Sequence, residues 1–266
     1  MLFLRSTLFQ ILFYGVTLVM MILLSPVMLL PRRWGWWVVP LWSRMLLALM
    51  RYVAGLKVEL RGLENIPQGG CMVALKHQSA WETVTLIPHF PDPTFILKRE
   101  LRWIPIFGWY TAKFRQIPIN RGKRSEALAA MVESAKQAIC EGRQIMIFPE
   151  GTRRPAGAEP KYKFGIAHLY KELQCPVLPV AHNAGLYWPR SSWLVYPGTV
   201  IVEFLPILPP GLAMDEFHTQ MVERIETASN RLIDEARHAP HPSPVLSRLP
   251  ENSSRRGSGS AQATVT

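Results

Sequence analysis

The residues in this chain best suited to chemistry are His77 and Glu82, in the run Lys76-His77-Gln78-Ser79-Ala80-Trp81-Glu82. An imidazole, with an unperturbed pKa of about 6.5, can take a proton from a hydroxyl group near neutral pH. A carboxylate beside it would fix the tautomer and steady the imidazolium that forms, which is the division of labour in a catalytic triad without its serine. Helix neighbours lie three or four positions apart, so a spacing of five works only with His77 in a turn and Glu82 in the first helical turn. The same residues have a structural reading. Ser79-x-x-Glu82 is a capping box, in which the Glu side chain returns to the Ser79 amide. Spacing leaves both readings open.

Two other segments carry suitable groups. Phe148-Pro149-Glu150-Gly151-Thr152-Arg153-Arg154 follows an apolar run, and the carboxyl ends of strands in open α/β sheets are where ligands bind. Gly151 would let the backbone approach a ligand, and the arginines supply forked donors for phosphate. Asn120-Arg121-Gly122-Lys123-Arg124 lies just ahead of a helix opened by Ser125, where basic side chains and a helix N-terminus make a natural phosphate site. For each segment the alternative is a solvated charged loop. The chain lacks a G-x-S-x-G elbow and a glycine-rich nucleotide loop. Without a recognisable nucleophile, direct attack by a substrate hydroxyl is simpler than an acyl-enzyme route. Amides of the helix beginning near Ser79 would then be the donors for the tetrahedral oxyanion.

The elements that must position these groups alternate in type. Residues 71–75, 94–97, 144–148, 176–181 and 199–205 read as strands. Residues 125–141 read as an amphipathic helix with Leu128, Met131, Ala135 and Ile139 as its stripe, capped by Ser125 and stopped by Gly142. A helix starts at Ser79, and a last one at Asp215 buries Phe217, Met221, Ile225, Ala228, Leu232 and Ala236. This alternation predicts an α/β fold, a mixed sheet covered by helices on both faces.

A different segment precedes it. Residues 6–31 contain no charged residue, long enough to cross a bilayer. Trp34, Trp36, Trp37 and Trp42 then cluster as an interfacial belt would, and Arg44 and Arg51 share one helix face opposite Leu46, Leu47, Leu49 and Met50. Residues 1–56 therefore read as an N-terminal helical membrane anchor, spanning or dipping, and residues 57–238 as the main domain. Residues 239–266, twelve of which are Pro, Ser or Gly, read as a disordered tail. The basic residues after the apolar run place the main domain on the cytoplasmic side of the inner membrane. Trp103, Ile106, Phe107, Trp109, Tyr110 and Phe114 read as buried core, with an apolar groove or a bilayer contact as alternatives.

Charge narrows the partners. The net +11 is confined to the first 124 residues, and from Ser125 onward bases and acids balance. A basic face selects an anionic partner: a membrane surface, a phosphorylated substrate or nucleic acid. No nucleic-acid-binding motif is present, so nucleic acid is set aside. Cys71, Cys140 and Cys175 are too scattered for a disulfide framework, and the seven histidines lack metal-ligand spacing, so neither a metal nor a cofactor is expected.

Taken in order, His77-x-x-x-x-Glu82, Asn120-Arg121-Gly122, Phe148-Pro149-Glu150-Gly151-Thr152-Arg153 and Val177-Leu178-Pro179-Val180 resemble the glycerolipid acyltransferase family. Lys98-Arg99-Glu100-Leu101, Pro105 and Gly108 are similar to its stretch between the first two motifs. The resemblance covers roughly residues 57–210. It implies transfer of a fatty acyl group from a thioester, acyl-CoA or acyl carrier protein, to the free hydroxyl of a lysophospholipid at a membrane. It implies that His77 is the catalytic base with Glu82 as its carboxylate. Arg121 would meet the substrate phosphate, with Glu150, Gly151, Thr152 and Arg153 as substrate-binding residues and Pro179 in the fourth motif. Glu82 stands where the family usually has Asp, which leaves the relay geometry open. Acylation of glycerol-3-phosphate or of another lyso-lipid, such as a lyso-ornithine lipid, remains an alternative. So does a non-enzymatic, membrane-anchored polybasic module.

Overall fold

Period-two alternation sorts the strand residues onto two faces, and each face has its own core. In β2 (Cys71–Leu75), Cys71, Val73 and Leu75 join one apolar cluster while Met72 and Ala74 join the other. In β6 (Val177–His182), Leu178 and Val180 join the first, Val177 and Ala181 the second. Strands buried on both faces read as continuous apolar runs, which is why these two were legible. The computed structural model describes residues 1–119 and 124–249.

The other strands are β1 (Leu56–Arg61), β3 (Pro93–Lys98), β4 (Ile117–Ile119), β5 (Gln144–Ile147) and β7 (Gly198–Phe204). They form one sheet in the order β1-β7-β6-β2-β5-β3-β4. Strands β6, β2, β5, β3 and β4 are parallel, β7 is antiparallel to β6, and β1 is parallel to β7. The sheet is therefore mixed, as expected. The sequence reading lacked β1 and β4. β1 is an edge strand with only Leu56 fully buried, and β4 is three residues long.

One face is covered by α6 (Arg124–Cys140), α7 (Gly165–Leu173) and α8 (Met214–Arg237). All six stripe residues expected of α8 are buried. In α6, Met131 and Ala135 are buried, and Gly142, at φ +75°, ends the helix by turning its amide back to Ile139. The cap expected of Ser125 lies outside the described side chains.

The other face is covered by the N-terminal segment itself. α1 (Leu2–Leu23) is long and apolar enough to cross a membrane, and α3 (Val38–Tyr52) packs against it. Phe9, Phe13, Leu46 and Met50 are buried in the same cluster as Val73, Val180 and Val200 of the sheet. Ser6 accepts the Val195 amide at 3.0 Å, Ser43 donates to the Val84 carbonyl at 2.7 Å, and Arg32 of the short α2 (Arg32–Gly35) pairs with Asp92. Residues 1–56 thus complete the core instead of standing apart from it. The chain also packs on the core beyond residue 238. Residues 244–248 form a 3₁₀ turn whose Leu246 is buried, and the Ser243 hydroxyl donates to the Leu186 carbonyl. Packing continues through Leu249, because Val245, Leu246 and Leu249 are apolar enough to outweigh the surrounding Pro and Ser. Residues 250–266 lie outside the described residues.

Candidate active site at the strand ends

Three neighbouring parallel strands, β6, β2 and β5, end at the same edge of the sheet and deliver His182, His77 and Phe148 there. His77 leaves β2 in a turn, and Glu82 begins the one-turn helix α4 (Glu82–Thr85). This is the arrangement a spacing of five requires. The helix is much shorter than the sequence suggested, because Pro88 follows it and the chain passes into a 3₁₀ turn at Ile87–His89.

Glu82 is fully buried and one of its oxygens does most of the work. Oε1 accepts from His77 Nδ1, the Gln78 amide and the Ser79 amide, each at 2.8 Å, and Oε2 accepts from the Ser79 amide at 3.1 Å. The capping box and the His–carboxylate pair are the same interaction. Burial alone would raise the Glu82 pKa. The imidazoles of His182 and His77 and the Ser79 amide outweigh it and hold the carboxyl below its ordinary value. These amides are committed to Glu82, so the Gln78 and Ser79 N–H groups are not open to an oxyanion, contrary to the sequence expectation.

With Nδ1 held by Glu82, the His77 ring stacks on Phe148 at 4.0 Å between centroids. The ring lines a cavity of about 1260 Å³, larger than the roughly 300–1,000 Å³ of ordinary ligand pockets. Much of its lining is apolar: Met20 and Met21 of α1 with Leu24 just after it, Val39 and Trp42 of α3, and Phe107 and Tyr110 of α5 (Phe107–Lys113). Polar groups in the lining are Thr152, Arg153, Lys163 and Arg190. Of the aromatic stretch expected to be core, only Phe114 is fully buried. Phe107 and Tyr110 line the cavity, while Trp103 and Trp109 are 77% and 62% exposed.

The Phe148–Arg154 block divides between two tasks. Gly151, at φ +68°, makes the turn after β5, and the aliphatic chain of Lys163 lies where a Cβ would point. Thr152 and Arg153 face the cavity. Glu150 turns inward, where its carboxylate accepts the His77 amide at 2.9 Å, and the Arg154 amide donates to the His77 carbonyl at 2.8 Å. Glu150 therefore shapes the histidine turn instead of lining the cavity as a substrate ligand would. Burial pushes its carboxyl above its ordinary value, against the pull of Lys76 and the His77 amide. Pro179 is buried inside β6 opposite Ala74 of β2, so it supports the sheet beneath the turn. Arg121 lies outside the described residues.

Four residues of this region carried no sequence signal. Lys76 is buried with its ammonium 3.6 Å from Glu150 and bonded to Glu226 of α8, which also accepts the Tyr162 hydroxyl at 2.6 Å. His182 is fully buried, its Nε2 bonded to the Lys76 carbonyl at 2.8 Å, and burial pushes its pKa down. Among the described residues no cluster of three His, Cys, Asp or Glu side chains is placed to hold a metal ion.

Residues 57–183 match the protein family described as Acyltransferase. A Pseudomonas aeruginosa 1-acyl-sn-glycerol-3-phosphate acyltransferase is 43% identical over 171 residues, 64% of this chain and 66% of that protein. The human 1-acyl-sn-glycerol-3-phosphate acyltransferase alpha is 28% identical over 177 residues, 65% of this chain and 62% of that protein. The chain thus spans just under two thirds of the length of these relatives. Among solved structures, the 1-acyl-sn-glycerophosphate (LPA) acyltransferase PlsC from Thermotoga maritima superimposes with a TM-score of 0.74 at 24% identity. That match covers 87% of this chain and 98% of the other, and so bears on the fold.

Proposed function

We propose that this chain, whose residues 57–183 match the acyltransferase family, transfers a fatty acyl group from a thioester to the sn-2 hydroxyl of 1-acyl-glycerol-3-phosphate, giving phosphatidic acid. The observation that carries the reading is the His77–Glu82 pair, with the His77 ring in the wall of a large and mostly apolar cavity. Glu82 accepts a hydrogen bond from Nδ1–H and leaves Nε2 as the base. His77 takes the hydroxyl proton as the oxygen bonds to the thioester carbonyl carbon. The tetrahedral intermediate then expels the thiolate as the C–S bond breaks, and the imidazolium returns the proton to sulfur. The apolar wall suits acyl chains, and Arg153 with Lys163 and Arg190 suits phosphate. Arg121 is assigned to the acceptor phosphate on its place in the sequence motif.

The donor is acyl-CoA or acyl carrier protein, each of which carries phosphate and matches the basic half of the chain. The protein works at the cytoplasmic face of the inner membrane. Both ends of α1 are tied to the catalytic domain, Ser6 through Val195 and Met21 through the Tyr110 hydroxyl at 3.1 Å. A helix held along its length in this way lies in one face of the bilayer with Phe3, Leu4, Ile11 and Leu18 in the acyl region, while Trp34 and Trp37 sit at its surface.

The test is acyl transfer by purified protein in lipid nanodiscs, with 1-acyl-glycerol-3-phosphate, glycerol-3-phosphate and lyso-ornithine lipid offered in turn with each donor. Phosphatidic acid from the first acceptor, lost in His77→Ala, is the expected result. Faster turnover of another acceptor would reassign the substrate, and no transfer to any of them would overturn the reading.

A further inference from the structure

A second network of buried ions lies behind the histidine turn, on the side away from the cavity. Lys76 is 3% exposed, and its ammonium is shared between Glu150 at 3.6 Å and Glu226. Glu226 comes from α8, outside the segment that matches the family. Tyr162 donates its hydroxyl to the same Glu226 oxygen that Lys76 contacts, and its ring stands 5.6 Å from the Lys76 ammonium. Glu150 in turn accepts the amide of His77.

A buried ammonium without acceptors is costly, and so is a buried carboxylate without donors. Here Glu226 accepts from both Lys76 and Tyr162, and Glu150 accepts the His77 amide through Oε2 while its Oε1 has the Lys76 ammonium 3.6 Å away as its neighbouring charge. Tyr162 orients Glu226, Glu226 holds Lys76, Lys76 sets its charge beside Glu150 and opposes the effect of burial there, and Glu150 fixes the backbone N–H of the residue whose ring must meet Glu82.

We propose that Glu226 is a positioning residue for the reaction, acting on His77 through Lys76 and Glu150, with Tyr162 as its support. The inference rests on His77 being the base of acyl transfer. Substrate does not reach Glu226, so its loss changes the alignment of the base and leaves binding of donor and acceptor as it was. A misaligned general base forfeits part of the roughly 10²–10⁴-fold that such a group contributes.

The experiment is a kinetic cycle on the full chain in nanodiscs: wild type, His77→Ala, Glu226→Gln, Lys76→Met, the Glu226→Gln/Lys76→Met double variant, and Tyr162→Phe. Glu226→Gln should lower kcat about tenfold, with both KM values within a factor of two. Tyr162→Phe should do the same to a smaller extent. Because Glu226 acts only through Lys76, the double variant should be no slower than Lys76→Met alone, whereas independent structural effects would multiply. If Lys76→Met does not fold, Lys76→Gln takes its place in the cycle. Wild-type kcat in Glu226→Gln, or a Glu226 effect undiminished when Lys76 is gone, overturns the proposal. An inactive wild type overturns the functional reading instead, and the two failures are told apart by the first two members of the set.

Discussion

Replacing Glu82 with Gln removes one charge and almost no volume from the centre of the site. The structure sets where the new amide must sit. Oε1 faces three N–H groups at 2.8 Å, so the Gln oxygen takes that position and the amide nitrogen takes the other. The His77 tautomer and the 2.8 Å cap bonds then survive, the Ser79 amide losing its second acceptor at 3.1 Å, and the main loss is attraction between the carboxylate and the imidazolium formed in the reaction. With charge centres about 4 Å apart and an effective dielectric near 20, that attraction is about 4 kcal/mol. Each 1.36 kcal/mol is about tenfold in rate, so kcat should fall about a thousandfold. Stability should drop by only about 1–2 kcal/mol, since charged hydrogen bonds become neutral ones. Glu82→Ala should cost several kcal/mol, because three buried donors lose their acceptor at about 1–3 kcal/mol each. The folded-state pKa of Glu82 lies below the ordinary 4.5, so its contribution to stability is full above that value. The contribution is lost as pH falls through the lower folded value. The melting-temperature gap between wild type and Glu82→Gln should therefore close in acid. Single-turnover acyl transfer and thermal melts between pH 3 and 8 measure both. A Glu82→Gln variant within tenfold of wild-type turnover would refute the electrostatic argument.

A chain stopped after His238 loses the buried Leu246 and its neighbours and should be destabilised by about 2–4 kcal/mol, roughly 5–10 °C in melting temperature. A chain stopped after Leu249 should melt like the full protein. Arg121→Lys keeps the charge but loses the planar fork, so steady-state assays should show the acceptor KM rising more than the donor KM. Unchanged acceptor kinetics in Arg121→Ala would move the phosphate to Arg153 or Lys163. Membrane pelleting should survive a 1 M salt wash, because burial of the exposed apolar face of α1 is not screened by ions. Recovery in the soluble fraction would refute membrane attachment.

The local pattern was enough for the elements that bury a continuous stripe or run. Helix α8, the core strands β2, β5 and β6, and the apolar N-terminus were all legible because periodicity reports burial directly. The pairing of His77 with Glu82 was legible as one of two alternatives, and so was the turn at Gly151. Spacing could not say that capping and histidine orientation use the same carboxylate oxygen, since that depends on the direction of three N–H vectors. Composition could not show that the helices before residue 57 pack on the sheet, because an apolar helix reads the same whether its partner is lipid or a sheet. Nor could it show that Val245, Leu246 and Leu249 pack on the core, because three apolar side chains among prolines and serines show no period. Glu226 lies 150 positions from Lys76, in a helix whose amphipathic pattern does not set it apart from the other charged residues between the stripe positions. Only the packing of α8 across β6 brings it beneath the histidine turn, because the contact is made between elements and leaves no mark on the periodicity of either.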